Sequence, residues 1–87
     1  MSYTIYPTRK FIKSFKKLPK NIQQLAIKKD KLFRYNIHHS SLKTHQLKGR
    51  LRDYWSYWVS REYRIVFKVV NKNTVVYHEI GTHGIYK

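Results

Sequence analysis

Three runs rich in β-branched and aromatic residues, Tyr54 to Ser60, Arg64 to Val70 and Thr74 to Ile80, fill the second half of the chain. Short turns, Ser60-Arg61-Glu62 and Asn71-Lys72-Asn73, join them. Strands joined by turns this short pair with their immediate neighbours, so the spacing predicts an antiparallel meander. In the middle run Ile65, Phe67 and Val69 share one face, while Arg64, Val66 and Lys68 share the other. Helices are expected to cover the first face, leaving Arg64 and Lys68 on an open face available to a substrate. The last run is apolar on both parities, so the pattern does not fix its register.

The first half has a different period. Tyr3-Thr4-Ile5-Tyr6 reads as a short strand ended by Pro7, and Thr8 is placed to cap a helix. Phe11, Ile12, Phe15 and Leu18 form one apolar stripe, with Lys10, Lys13, Lys16 and Lys17 mostly off it, and Pro19 stops the helix. Ile22, Leu25, Ala26, Leu32 and Phe33 repeat the stripe in a second helix, expected antiparallel to the first. Asn36 to Ser41 has no period and reads as a loop; adjacent His38 and His39 would point different ways, which suits solvent better than a metal. The predicted order is β-α-α-β-β-β, an α+β class: a single domain over residues 1–87, with a helical hairpin on one face of a small, mostly antiparallel sheet.

Charge restricts what such a domain can meet. Nineteen Lys and Arg against four Asp and Glu give +15 with His neutral, an imbalance that repels itself in the compact state. An anionic partner is implied, and a phosphate backbone is the first expectation, ahead of an acidic protein. Aromatic residues make up 16% of the chain, enough for a packed core despite the polarity. There is no cysteine, which removes disulfides and thiolate metal sites. The N-terminus lacks an apolar leader core, and no window approaches a bilayer-spanning length, so the protein is read as soluble and cytoplasmic, with no membrane partner.

Chemistry-bearing residues concentrate in LKGRLRDYWSYWVSREYRIVF, residues 47–67, and in the closing IGTHGIYK. By itself the ending has two readings: a strand end with a surface tail, or a turn that carries His83 and Tyr86, both proton-transfer groups, into a site. The run LKG, with WS beginning six positions after its glycine, then EYRIVF and a closing strand ending GTH with an aromatic beyond, resembles the RelE/ParE superfamily of type II toxins. FxKSFKKLP in the first helix fits as well, so the resemblance spans almost the whole chain.

The resemblance implies a ribosome-dependent mRNA endonuclease of the RelE, YoeB and YafQ kind, acting in the decoding site and restrained by an antitoxin. It implies no metal and no cofactor: the RNA 2′-hydroxyl attacks its own phosphate, leaving a cyclic phosphate and a free 5′-hydroxyl. Such a reaction needs a base, an acid and positive charge on the phosphate. Arg64 matches the arginine of the YRIVF strand and suits two phosphate oxygens at once. His83 matches the histidine of the GTH motif as acid to the leaving oxygen. His45, in THQLKG, stands where YafQ-like members carry another histidine, as base or phosphate ligand. Glu62 stands near the acid of their Asp-Trp pair, and Tyr86 near their terminal aromatic, although three rather than four residues after the histidine. Lys48, Arg50, Arg52, Arg61 and Lys68 are assigned to RNA phosphates, and Tyr57 or Trp55 to stacking on a base; one of Trp55 and Trp58 is expected in the core.

Two other readings remain open at this level. A ParE-like gyrase inhibitor would share the fold and need no catalytic residues, and a plain nucleic-acid-binding module would need only the charge. The partner implied in the first two cases is an antitoxin that is acidic or carries an amphipathic helix.

Overall fold

A computed structural model describes the backbone of residues 3–86, with the side chains of His83 and Tyr86 outside the described set. Strand β1 (Thr4–Pro7) leads into helices α1 (Arg9–Lys16) and α2 (Lys20–Tyr35), then strands β2 (His45–Gln46), β3 (Trp55–Trp58), β4 (Tyr63–Asn71) and β5 (Thr74–Thr82). Short 3₁₀ turns occupy Ser40–Leu42, Gly49–Leu51 and His83–Tyr86. The sheet order is β1-β5-β4-β3-β2, with β1 parallel to β5 and every other pair antiparallel. The expected α+β architecture is therefore present, with one strand more than expected, because His45 and Gln46 pair with Ser56 and Trp55 at the sheet edge.

Helix α1 starts where Thr8 Oγ1 accepts the Phe11 amide at 3.0 Å, the expected cap. It stops at Lys16, short of Leu18, because Pro19 biases the residue before it away from helical geometry. Helix α2 reaches back to this end: Gln23 Nε2 donates to Phe15 O at 3.1 Å and to Leu18 O, just beyond α1, at 3.2 Å.

Strand β1 pairs with β5 only as far as Tyr77, and past that point α1 takes over the bared edge. Thr8 Oγ1 donates to His78 O at 3.0 Å, and the Ile80 amide donates to Ser14 Oγ at 3.1 Å. These side chains replace a strand as hydrogen-bond partners and fix α1 against β5.

Phe33 is fully buried at the centre of the core, stacked on Tyr57 at 4.5 Å and edge-on to Phe67 at 4.9 Å. Ile65, Phe67, Val75, Tyr77 and Ile80 pack on the same side, as the alternation in β4 requires. Val69 departs from it: 40% exposed, it stands beside an irregularity in the β4–β5 register, near the turn that joins the two strands. Two buried phenols complete the core. Tyr57 and Tyr77 hydroxyls lie 2.8 Å apart, and Tyr77 donates to Asp30 Oδ1 at 2.7 Å, so Tyr57 is the donor to Tyr77. Burial, the largest cause for both, raises their pKa values well above the ordinary phenol value of 10.0.

Candidate functional site

The sheet face away from the helices carries the remaining parity of each strand. Register aligns His45, Ser56, Val66 and Glu79 in one row across β2, β3, β4 and β5. Trp58, Arg64 and Gly81 form the next row, about 7 Å along the strands.

Arg64 is only 8% exposed, which corrects the expectation of an open position. Its Nη1 donates to Ser60 O at 3.0 Å and to Arg61 O, both in the β3–β4 turn, and the guanidinium carbon stands 4.3 Å from the centre of the Trp58 ring. Carbonyl dipoles and an indole face hold the cation without cancelling its charge. Among the described residues no carboxylate pairs with it: Glu79 takes Lys10 at 3.3 Å and Asp30 takes Arg34 at 2.9 Å. The Nε and Nη2 donors hold no hydrogen bond within that set. A preformed cation without a carboxylate partner among the described residues can receive an anionic group.

His45 reaches the same face from the edge. Lys43, in the left-handed region at φ 49°, turns the chain out of the 3₁₀ segment whose Leu42 is buried in the core. The Lys43 carbonyl lies 2.9 Å from His45 Nδ1, and a carbonyl can only accept, so Nδ1 carries the proton. Nε2 is then the basic nitrogen, 3.5 Å from the hydroxyl of fully buried Ser56. An exposed imidazole with its tautomer set by a backbone carbonyl can accept a proton.

The LKG segment folds as a basic turn beside these rows. Buried Leu47 anchors it, with its amide on Tyr54 O at 2.9 Å, and Gly49 turns it at φ 68°, a conformation that costs any residue with a Cβ. Lys48, Arg50 and Arg52 stay exposed, as do Arg61 at the β3–β4 turn and Lys68, whose Nζ lies 5.7 Å from the Tyr54 ring. Of the cations expected to meet RNA, Lys48 and Arg50 border Val66 and Glu79 on this face, and Lys68 shares it by register.

The C-terminal tail folds back onto that face. A Cβ on Gly81 would stand 2.5 Å from Ile85 Cγ2, so the absence of a side chain at Gly81 is what lets Ile85 seat there. Gly81 is also the cross-strand partner of Arg64. The backbone of His83–Tyr86 therefore turns beside Arg64, while the roles expected for the His83 and Tyr86 side chains fall outside the described residues.

Two sequence expectations need correction. Tyr57 is fully buried and Trp55 packs on the core, so neither presents a ring to a base. Trp58 lies on the face of Arg64 instead, as does Tyr54 beside Lys68 and His78. The signal for this was in the turn: Trp58 and Arg64 stand equally far from Arg61, as do Tyr57 and Ile65, so Trp58 must share the face of Arg64. Glu62 lies exposed on the turn, its amide near Ser60 Oγ at 3.3 Å, away from the row that holds His45. His78, which the sequence did not single out, joins the face next to the β5 register shift, 5.1 Å from the Tyr54 ring.

No protein-family model matches the chain, and no curated protein matches it significantly in sequence. Solved structures do match in fold, and RelE, YoeB and YafQ toxins are among them. YafQ from Escherichia coli BL21(DE3) superposes with a TM-score of 0.79 at 17% identity, over 97% of each chain. A YoeB/ParE toxin from Agrobacterium tumefaciens gives 0.77 at 15% identity, over 92% of this chain and 98% of that one. The archaeal RelE–RelB complex from Pyrococcus horikoshii OT3 gives 0.75 at 16% identity, over 98% and 99%. The chain has the RelE-like fold.

Proposed function

We propose that this protein is the toxin of a type II toxin–antitoxin pair and cleaves mRNA on the ribosome. The observation that carries the reading is Arg64, a fixed cation without a counter-charge among the described residues, on the same face as a histidine whose Nε2 is basic. Similar chains support it, since they include the toxins of complexes named DinJ–YafQ and RelE–RelB.

In this reading His45 Nε2 takes the proton from the RNA 2′-hydroxyl, whose oxygen attacks the adjacent phosphorus. Arg64 Nε and Nη2 receive the non-bridging oxygens as negative charge builds. The 5′-oxygen departs, taking a proton for which His83 is the assigned donor, and leaves a cyclic phosphate and a 5′-hydroxyl. The step is internal to the RNA and needs no metal or cofactor. Lys48, Arg50, Arg52, Arg61 and Lys68 hold mRNA and ribosomal phosphates, which position the strand without selecting its sequence. The antitoxin is an acidic or amphipathic chain acting in the cytoplasm, matched to a net charge of +15.

Primer extension on mRNA after brief induction tests the reading, with wild type compared against Arg64→Ala, His45→Ala and His83→Ala at matched protein levels. Cuts within translated codons that vanish in the Arg64 variant are expected. Growth arrest with intact mRNA, unchanged in all three variants, would replace it with gyrase-type inhibition.

A further inference from the structure

A cleft of about 430 Å³ opens beside the Arg64 row, between α1, the LKG turn and β5. Leu51, Val66 and Ile85 make its apolar floor, and His78 forms a wall. Lys48 and Arg50 reach it from the turn. Lys10 and Glu79 are joined across it, Nζ to Oε1 at 3.3 Å. Val66 is one side-chain step from Arg64 on the same face of β4, about 7 Å, so the cleft adjoins the phosphate position.

Lys48 and Arg50 suit a phosphate, whereas Glu79 and the apolar floor do not. A flat ring with polar edges suits both: its face packs on Val66 and Ile85 or against the His78 imidazole, while its edge meets the ion pair. Resting on the nuclease reading above, we propose that this cleft is a nucleobase pocket next to the scissile phosphate, in which Lys10 and Glu79 read the Watson–Crick edge of guanine. That edge presents a carbonyl beside two N–H donors. An ammonium next to a carboxylate complements it with three hydrogen bonds, whereas adenine, cytosine and uracil each satisfy two. Only Oε1 of Glu79 is engaged by Lys10 among the described residues. Lys48 and Arg50, at the mouth, take the phosphate that follows the base.

The device depends on how α1 is pinned. Thr8 and Ser14 bond the backbone of His78 and Ile80, on either side of Glu79, so Lys10 is delivered to the carboxylate by the same contacts that seat the helix.

The test is fluorescence anisotropy with four uncleavable 2′-O-methyl RNA hexamers that differ only in one central base, measured on the purified chain. Wild type should bind the guanine oligomer about tenfold more tightly than the uracil one. Glu79→Gln and Lys10→Gln should each bring the four affinities within about twofold of one another, and Arg64→Ala should weaken all four alike while keeping their order. Equal binding of the four oligomers by wild type, or a guanine preference that survives Glu79→Gln, overturns the pocket. The nuclease reading fails separately: a guanine preference dependent on Glu79 in a chain that leaves cellular mRNA intact would keep the pocket and reject the cleavage.

Discussion

The guanidinium carbon of Arg64 stands 4.3 Å over the Trp58 ring, and the two residues are direct partners across β3 and β4. The indole is therefore a positioning group for the cation. Trp58→Leu should lower kcat about three- to thirtyfold, as a partly desolvated cation–π contact is worth about 0.5 to 2 kcal/mol, while Trp58→Phe recovers part of it. Arg64→Lys should recover little, because an ammonium cannot bond the turn carbonyls and fork onto a phosphate together. Single-turnover cleavage on programmed ribosomes, with thermal melts as control, separates lost positioning from lost folding.

His45 makes a distinct prediction. Its side chain is exposed and its ring is held by one backbone carbonyl, so His45→Ala should leave the melting temperature nearly unchanged. Loss of a general base should slow cleavage by about a hundredfold to ten-thousandfold with KM little altered. A variant as fast as wild type would remove His45 from the chemistry and leave the base to be sought elsewhere on the face.

Gly81 and Gly84 stand three residues apart and should behave oppositely. A Cβ at Gly81 meets Ile85, whereas a Cβ at Gly84 meets nothing within 4 Å. Gly81→Ala should lift the tail from Arg64, cost about 1 to 3 kcal/mol and reduce activity; Gly84→Ala should be silent. Restoring space with Gly81→Ala/Ile85→Ala should recover the stability, which a denaturant titration reads directly.

The buried phenols set an alkaline limit. Both have pKa values raised by burial, so below the ordinary value of 10.0 they are protonated in folded and unfolded chains alike and their stabilisation is complete. As pH rises past that value the unfolded chain loses the protons first, and stability should fall by about 1.4 kcal/mol per pH unit for each tyrosine. Tyr57→Phe should flatten that slope by one tyrosine, at a cost near neutral pH of about 1 kcal/mol for the lost hydrogen bond. Urea midpoints from neutral to strongly alkaline pH provide the measurement.

Much of the fold was legible because its signals are local. Alternation in β4, the stripes of Phe11, Phe15, Ala26 and Phe33, the Thr8 cap and the stop at Pro19 each depend on a few neighbouring residues. The parallel pairing of β1 with β5 joins the two ends of the chain, and no local pattern reports it. The two-residue strand at His45 was invisible for a related reason: a pair so short is defined by its partner, Ser56 and Trp55, rather than by its own composition.

By itself the sequence determined the charge, the period of each segment and the residue types from which a phosphate site could be built. Tertiary structure alone decided which of them meet. It stacked Tyr57 on Phe33 and brought the Arg64 guanidinium over the Trp58 ring, because sharing a face permits a contact and only packing makes it. It also joined Lys10 to Glu79, since the Thr8 and Ser14 hydroxyls took the hydrogen bonds that β1 was too short to supply.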